Sequence, residues 1–152
     1  MLSTSSLLAK LQNDFSHFQF ISGSEFRWAP QENTVYYPID THDSASLLHE
    51  LSHAVLDHQT YTRDIQLLDC EQAAWQYAKT VLAMRYGIEI SQDAIEDSLD
   101  TYRDWLHARS SCPECRATGM QIKQSMYSCL ACRSKWHVND ARTCQLQRTI
   151  IT

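Results

Sequence analysis

Two pairs of cysteines, Cys112 with Cys115 and Cys129 with Cys132, each have two intervening residues and stand 13 residues apart. That layout is the one in which two knuckles on hairpins grip a single tetrahedral ion, a zinc ribbon. Residues 1–10 carry neither a basic start nor an apolar stretch before a cleavage site, so the thiols are expected to stay reduced in the cytoplasm and to bind metal rather than form disulfides. Four thiolates leave no open coordination position, which makes the expected zinc structural. Without it, the roughly 45 residues from Ala108 onward cannot bury enough apolar surface to fold. Residues 120–127 are expected to supply strands between the knuckles, and Arg116 and Arg133 stand where a ribbon often carries glycine.

Charge divides the 152-residue chain at about the same place. Up to His107 there are 6 Lys/Arg against 16 Asp/Glu; from Ala108 onward there are 7 against 2. An acidic body (1–107) followed by a basic module (108–152) is the expected domain organisation. Two roles fit the module. In one, Arg116, Lys123, Arg133 and Lys135 follow a phosphate backbone while Tyr127 and Trp136 stack on bases. In the other, the module braces the body, with Trp136 in the joint. No apolar run approaches the roughly 18 to 20 residues that a bilayer demands, so no membrane association is expected.

With only three Gly and three Pro, the chain favours helices over a barrel or sandwich. Leu7, Leu8, Leu11, Phe15 and Phe18 predict a first amphipathic helix capped by Ser5 or Ser6. Between residues 18 and 37 the β-favouring Phe18, Phe20, Phe26, Trp28, Val35, Tyr36 and Tyr37 predict two or three short antiparallel strands, ended by Pro38. Leu47, Leu48, Leu51, Ala54 and Val55 predict a helix running to about His58, capped from Asp40, Thr41 or Asp43. Ile65, Leu68, Ala74, Trp75, Ala78, Val81 and Leu82 predict another, stopped near Gly87. Ser91 opens a further helix with Ile95, Leu99, Tyr102 and Leu106 on one side.

Residues 49–53, on the helix through Leu47, read His-Glu-Leu-Ser-His. At about 100° per residue, His49 and His53 project about 40° apart and one turn along the axis, so both imidazoles can reach one cation. Glu50 lies about 100° round from His49, flanking the ligands. This is the zinc metallopeptidase pattern: zinc lowers the pKa of a bound water toward about 7, and the flanking carboxylate takes its proton and passes it to the leaving amine. Such a zinc needs a third protein ligand. Glu71, 18 residues after His53 on the next helix, is the preferred candidate. Asp69 would face away, Asp57 is better placed to partner an imidazole, and His58, about 140° off the ligand face, reads as a helix-end histidine. Tyr36, Tyr37, Tyr61 and Arg63 are candidates for steadying an oxyanion, with no spacing to single one out. Cys70, Cys144, His107 and His137 are expected to be buried or surface residues, although Cys70 adjoins Glu71 and is open to oxidation.

The string HELSHAVLDH, followed by Glu71 and the Ala73-Ala74, Tyr77-Ala78 spacing, resembles the gluzincin-like ImmA/IrrE group of bacterial metallopeptidases over about residues 26–86. The resemblance implies that the two motif histidines and the downstream glutamate bind zinc, that the motif glutamate is the general base, and that the substrate is a DNA-associated regulator. Ser52 stands where that group often has glycine. The order of a His-Glu-x-x-His helix and a C-terminal zinc ribbon is also similar to SprT-like proteases, which act on DNA-bound proteins, but their third ligand is usually a downstream histidine and this chain has none between His58 and His107. The sequence therefore predicts an α+β chain: a zincin-like metallopeptidase core, with a small antiparallel sheet plus helices, and a C-terminal zinc ribbon. The expected cofactors are two zinc ions per chain, one catalytic on His49, His53 and Glu71, one structural on Cys112, Cys115, Cys129 and Cys132. Glu50 is the expected catalytic base and a protein or peptide the substrate, with DNA contact through the ribbon as a further partner. The alternative from another class is a zincin-shaped binding module without turnover.

Overall fold

A computed structural model describes residues 3–141 and 145–152; Arg142 and Cys144, counted above, lie outside them. The chain is mixed α+β and forms two compact units, Met1–Thr60 with Cys70–Ile95, and Tyr61–Asp69 with Glu96–Thr152. Among the described residues no helix is long and apolar enough to cross a membrane.

In the first unit, helix α1 (Thr4–Asp14) buries Leu7 and Leu11, the two positions that share one face at a spacing of four. Its cap is Ser3, two to three residues before the serines read from sequence: the Ser3 hydroxyl accepts the Ser6 N–H at 3.2 Å. Three strands follow, β1 (Gln19–Gly23), β2 (Arg27–Ala29) and β3 (Thr34–Pro38). The expectation of an antiparallel sheet is corrected here. The order is β1-β3-β2, with β2 antiparallel to β3 but β1 parallel to it. The turn over residues 30–33, closed by Asn33 in the left-handed region (φ 54°), makes a hairpin of β2 and β3. That hairpin places β3 in the middle, so β1 finds a neighbour running its own way. Apolar alternation reports which residues face a core and carries no information about strand direction.

Helix α2 (Ser44–Val55) is capped by Asp43, whose carboxylate accepts the Ser46 N–H at 2.9 Å and the Ser46 hydroxyl at 2.6 Å. Leu47, Leu48 and Leu51 are fully buried, each contributing about 1.5–3 kcal/mol of burial energy, and they fix which side of the helix faces inward. Helix α3 (Asp64–Tyr77) runs into a π-helical turn (Ala78–Leu82) and a last short helix, α4 (Ala83–Tyr86), which ends at Gly87 with φ 66°. The face packed inward is Glu71, Ala74, Trp75, Ala78, Leu82 and Ala83; Ile65 and Val81, counted in the apolar stripe by sequence, are exposed. The π turn accommodates one extra residue, so the regular spacing of the stripe is broken there.

The second unit contains most of α5 (Gln92–Ser110), which buries Leu99, Trp105 and Arg109 there, and an antiparallel sheet in the order β4 (Met120–Lys123), β5 (Met126–Ser128), β6 (Lys135–Val138), β7 (Arg148–Ile150). Strands β4 and β5 are those expected between the knuckles; β6 and β7 are additions. Trp136 is completely buried, and its indole N–H donates to the Arg109 carbonyl at 2.9 Å. A side chain at Gly119 would lie 2.4 Å from the Trp136 ring, so this position accepts only glycine. Tyr127 is 2% exposed and stacks on Trp136. Neither aromatic is offered to a base, which corrects the stacking role read from sequence.

The same unit holds a buried ion pair. Arg109 donates from Nε to Asp64 Oδ2 at 2.8 Å and from a terminal nitrogen to the Asn139 carbonyl, and the Tyr127 hydroxyl donates to the same Asp64 oxygen. One of the seven cations of the basic module is thus neutralised inside the fold. Burial, reinforced by the Asp64 bond, raises the Tyr127 pKa above its usual value of 10.0. A raised pKa in the fold means stabilisation that is complete below about pH 10 and is lost as pH rises through the folded value. Tyr127→Phe is therefore expected to flatten the alkaline fall in stability, measured as the denaturant midpoint between neutral and strongly alkaline pH. Parallel curves for parent and variant would show that the phenol does not titrate with unfolding.

Candidate metal centre

Helix α2 presents its motif residues inward: His49 and His53 are each 6% exposed and Ser52 is fully buried, its hydroxyl returned to the Leu48 carbonyl. Glu71, on α3, is equally buried and meets both rings. Its Oε2 lies 2.9 Å from His49 Nε2 and its Oε1 3.2 Å from His53 Nε2, while the two Nε2 atoms are 3.2 Å apart. Three lone-pair donors converge on one point. One oxygen of Glu71 faces each ring, and one ligand atom from each of the three residues lies within 4.8 Å of the others, close enough for all three to share a zinc ion with bonds of about 2.0–2.2 Å. Among the described residues no fourth His, Cys, Asp or Glu joins this cluster. Burial pushes the Glu71 carboxyl up, but the hydrogen bonds from His49 and His53, with their charges, outweigh it and hold the pKa at about 2.

Glu50 flanks this triangle as its place on the helix predicts. One of its oxygens, Oε2, accepts the backbone N–H of Trp28 at 2.9 Å; the other lies 4.0 Å from His49 Nε2. Strand β2 pairs only with β3, so Trp28 spends its outward N–H on holding this carboxylate. Burial raises the Glu50 pKa, partly offset by the neighbouring imidazoles, which makes the carboxylate a stronger proton acceptor than an exposed glutamate. The Trp28 contact has no signal in sequence, because the donor is backbone.

No family model, no curated protein and no solved structure matches this chain.

The surroundings of the two imidazoles differ. The His49 ring lies stacked on Trp75, with centroids 4.1 Å apart and planes at 18°, and its Nδ1 is buried without a hydrogen-bond partner. His53 Nδ1 is bonded to His58 Nδ1 at 2.8 Å. His58, read from sequence as a helix-end histidine, is thus the imidazole's partner. Asp57, the residue expected there, is exposed and accepts from Gln59 instead. Helical-wheel angles misplace His58 because α2 has already ended. Asp69 is exposed, as expected, and Cys70 is half-buried. Of the oxyanion candidates, Tyr36 donates its hydroxyl to Glu32 under the Arg27 guanidinium, and Arg63 donates to the Gln121 carbonyl.

The second cluster joins Cys112, Cys115, Cys129 and Cys132, all four sulfurs within reach of one ion. Cys112 and Cys132 sulfurs are 3.6 Å apart and those of Cys115 and Cys129 3.5 Å, close to the roughly 3.8 Å edges of a zinc tetrathiolate. The knuckles are built alike. Arg116 N–H returns to the Cys112 carbonyl at 2.9 Å and Arg133 N–H to the Cys129 carbonyl at 3.0 Å, and both arginines adopt left-handed backbone, φ 67° and 65°. The turn that glycine usually makes is kept at about 1–2 kcal/mol each. The Ser134 hydroxyl and backbone N–H beside the Cys132 sulfur bring the pKa of that thiol down to about 6. His107 and His137 are exposed and outside both clusters.

Proposed function

We infer that the chain is a zinc-dependent metallopeptidase whose cation is held by His49, His53 and Glu71 and whose general base is Glu50. One observation carries this reading: a His-His-Glu cluster with no fourth protein donor among the described residues, beside a second carboxylate, Glu50, held by a backbone N–H and thereby kept off the cluster. A purely structural zinc site closes all four corners with protein. Zinc bound here would supply Lewis acidity, polarising a carbonyl and bringing the pKa of a water toward about 7. Glu50, with one oxygen held by the Trp28 N–H and the other free of it, would serve as the proton acceptor and later as the donor to a leaving amine. Glu71 and the two imidazoles hold the cation and take no proton. The resemblance of the HELSHAVLDH string and Glu71 to the ImmA/IrrE group supports the same roles. It also favours a DNA-associated regulator as substrate over the broader DNA-bound substrates of SprT-like proteases, whose third ligand differs.

For the ribbon, Arg116, Lys123, Arg133 and Lys135 are exposed cations while both aromatics are buried. A DNA contact through it would therefore be electrostatic, to phosphates and without sequence readout. The test is hydrolysis of unfolded and DNA-bound protein substrates by chain carrying two zinc ions. Activity should vanish with a chelator and return with zinc, and duplex DNA should stimulate it at low salt but not at raised salt. A chain that takes up one zinc only, on its cysteines, would end the peptidase reading; salt-indifferent stimulation would end the phosphate contact.

A further inference from the structure

The C-terminal end of α2 is a Schellman turn. Asp57, in left-handed backbone at φ 55°, sends its N–H to the Ala54 carbonyl at 3.1 Å, and the next residue sends its N–H five residues back, His58 to the His53 carbonyl at 3.0 Å. In this motif the side chain that follows the left-handed residue packs on the one five before it, usually as an apolar pair. Here the pair is His58 on His53, with ring nitrogens 2.8 Å apart and ring planes at 64°. His58 is held from a third side as well, since its carbonyl accepts the Trp28 indole N–H at 3.0 Å.

A neutral imidazole has one N–H and one lone pair. His53 Nε2 faces Glu71 and His49, so it must keep its lone pair to serve as a ligand. The proton is then on Nδ1, where it needs an acceptor, and the His58 Nδ1 lone pair is in place. His49 has no comparable partner at its own Nδ1 and relies on the Trp75 stack. A hydrogen bond to the outer nitrogen fixes the tautomer and orientation of a ligand histidine and raises its basicity.

We propose that His58 is a positioning residue for the cation site: it accepts the His53 Nδ1–H, and Trp28, through its indole, holds His58 in the position to do so. The proposal rests on reading His49, His53 and Glu71 as a zinc site. It makes affinity for the ion depend on a residue outside the His-Glu-x-x-His string, placed by the helix's own termination.

The experiment compares zinc affinity, by competition with a chromophoric chelator, and the absorption spectrum of the cobalt(II)-substituted site in the full chain carrying His58→Ala, His58→Asn or Trp28→Phe. Asparagine puts an acceptor oxygen where Nδ1 was and is a poor zinc ligand, so it separates positioning from direct ligation. His58→Ala should weaken the His-His-Glu site about 10–100-fold and shift its cobalt bands, leaving the thiolate bands of the cysteine site unchanged. His58→Asn should recover most of the loss. Trp28→Phe, which keeps the backbone N–H on Glu50, should fall between. Parent affinity and spectrum in His58→Ala, or an asparagine variant that melts like the parent yet binds no better than alanine, would overturn the proposal. A parent chain that takes no metal outside its cysteines overturns the zinc-site reading first and this proposal with it, so the two failures are told apart.

Discussion

Glu50→Gln is expected to bind the same two zinc ions per chain that are expected of the parent, and to hydrolyse substrate about 10²–10⁴-fold more slowly, the usual contribution of a positioned general base. The variant is chosen because it removes one property. Glutamine has the shape of glutamate, and its side-chain oxygen can still accept the Trp28 N–H that anchors the carboxylate now. The cation's three donors are untouched, since Glu50 is not among them. What is lost is the oxygen that can take a proton at neutral pH, equivalent to about 3–5 kcal/mol added to the barrier. Metal content by elemental analysis and kcat under saturating substrate read the two halves of the prediction separately. Equal turnover by variant and parent would leave a metal-binding fold with no chemistry assigned to its motif.

Stripping the metal from the cysteine cluster, by a strong chelator or by Cys129→Ser, is expected to unfold the sheet of β4 to β7. Its apolar core is Cys112, Tyr127, Cys129, Trp136 and Val138, so two of the five core residues are themselves ligands. Structural zinc sites in small domains bind with about 10–16 kcal/mol at neutral pH, as much as the whole stability of an ordinary domain, about 5–15 kcal/mol. Nothing in a core this small replaces that term. Cys129 is the better position to test than Cys132 because it is buried, 1% exposed, and a serine there leaves a hydroxyl inside the core as well as a missing ligand. The near-ultraviolet circular dichroism signal of the buried Trp136 should disappear, and residues 112–138 should become open to protease. A metal-free chain that kept that signal would mean the sheet folds on hydrophobic packing and the Asp64, Arg109 and Tyr127 network alone.

Both clusters were legible in the sequence to the extent that their geometry is local. A spacing of four on a helix puts His49 and His53 on one side whatever surrounds them, and cysteines with two residues between them form knuckles from backbone turns alone. The end of the helical run at Gly87 and the strands on either side of the turn at residues 124–125 were readable for the same reason. Glu71 could be nominated but not placed, because its meeting with the histidines depends on how α3 packs in the first unit.

Other features had no trace in the pattern. The parallel pairing of β1 with β3 follows from which position the hairpin fills in the sheet, and alternation is blind to direction. Arg109 counted as a free cation in the charge sum and is paired inside the fold. The Trp28 N–H on Glu50 belongs to backbone that every residue but proline carries. His58 was discounted by an angle that holds only while the helix lasts. Sequence by itself determined which residue types could bind metal and which of them are neighbours along one turn of chain. Tertiary structure decided which carboxylate the two histidines meet, which backbone N–H holds Glu50 and which histidine partners another, because those contacts join segments that only packing brings together.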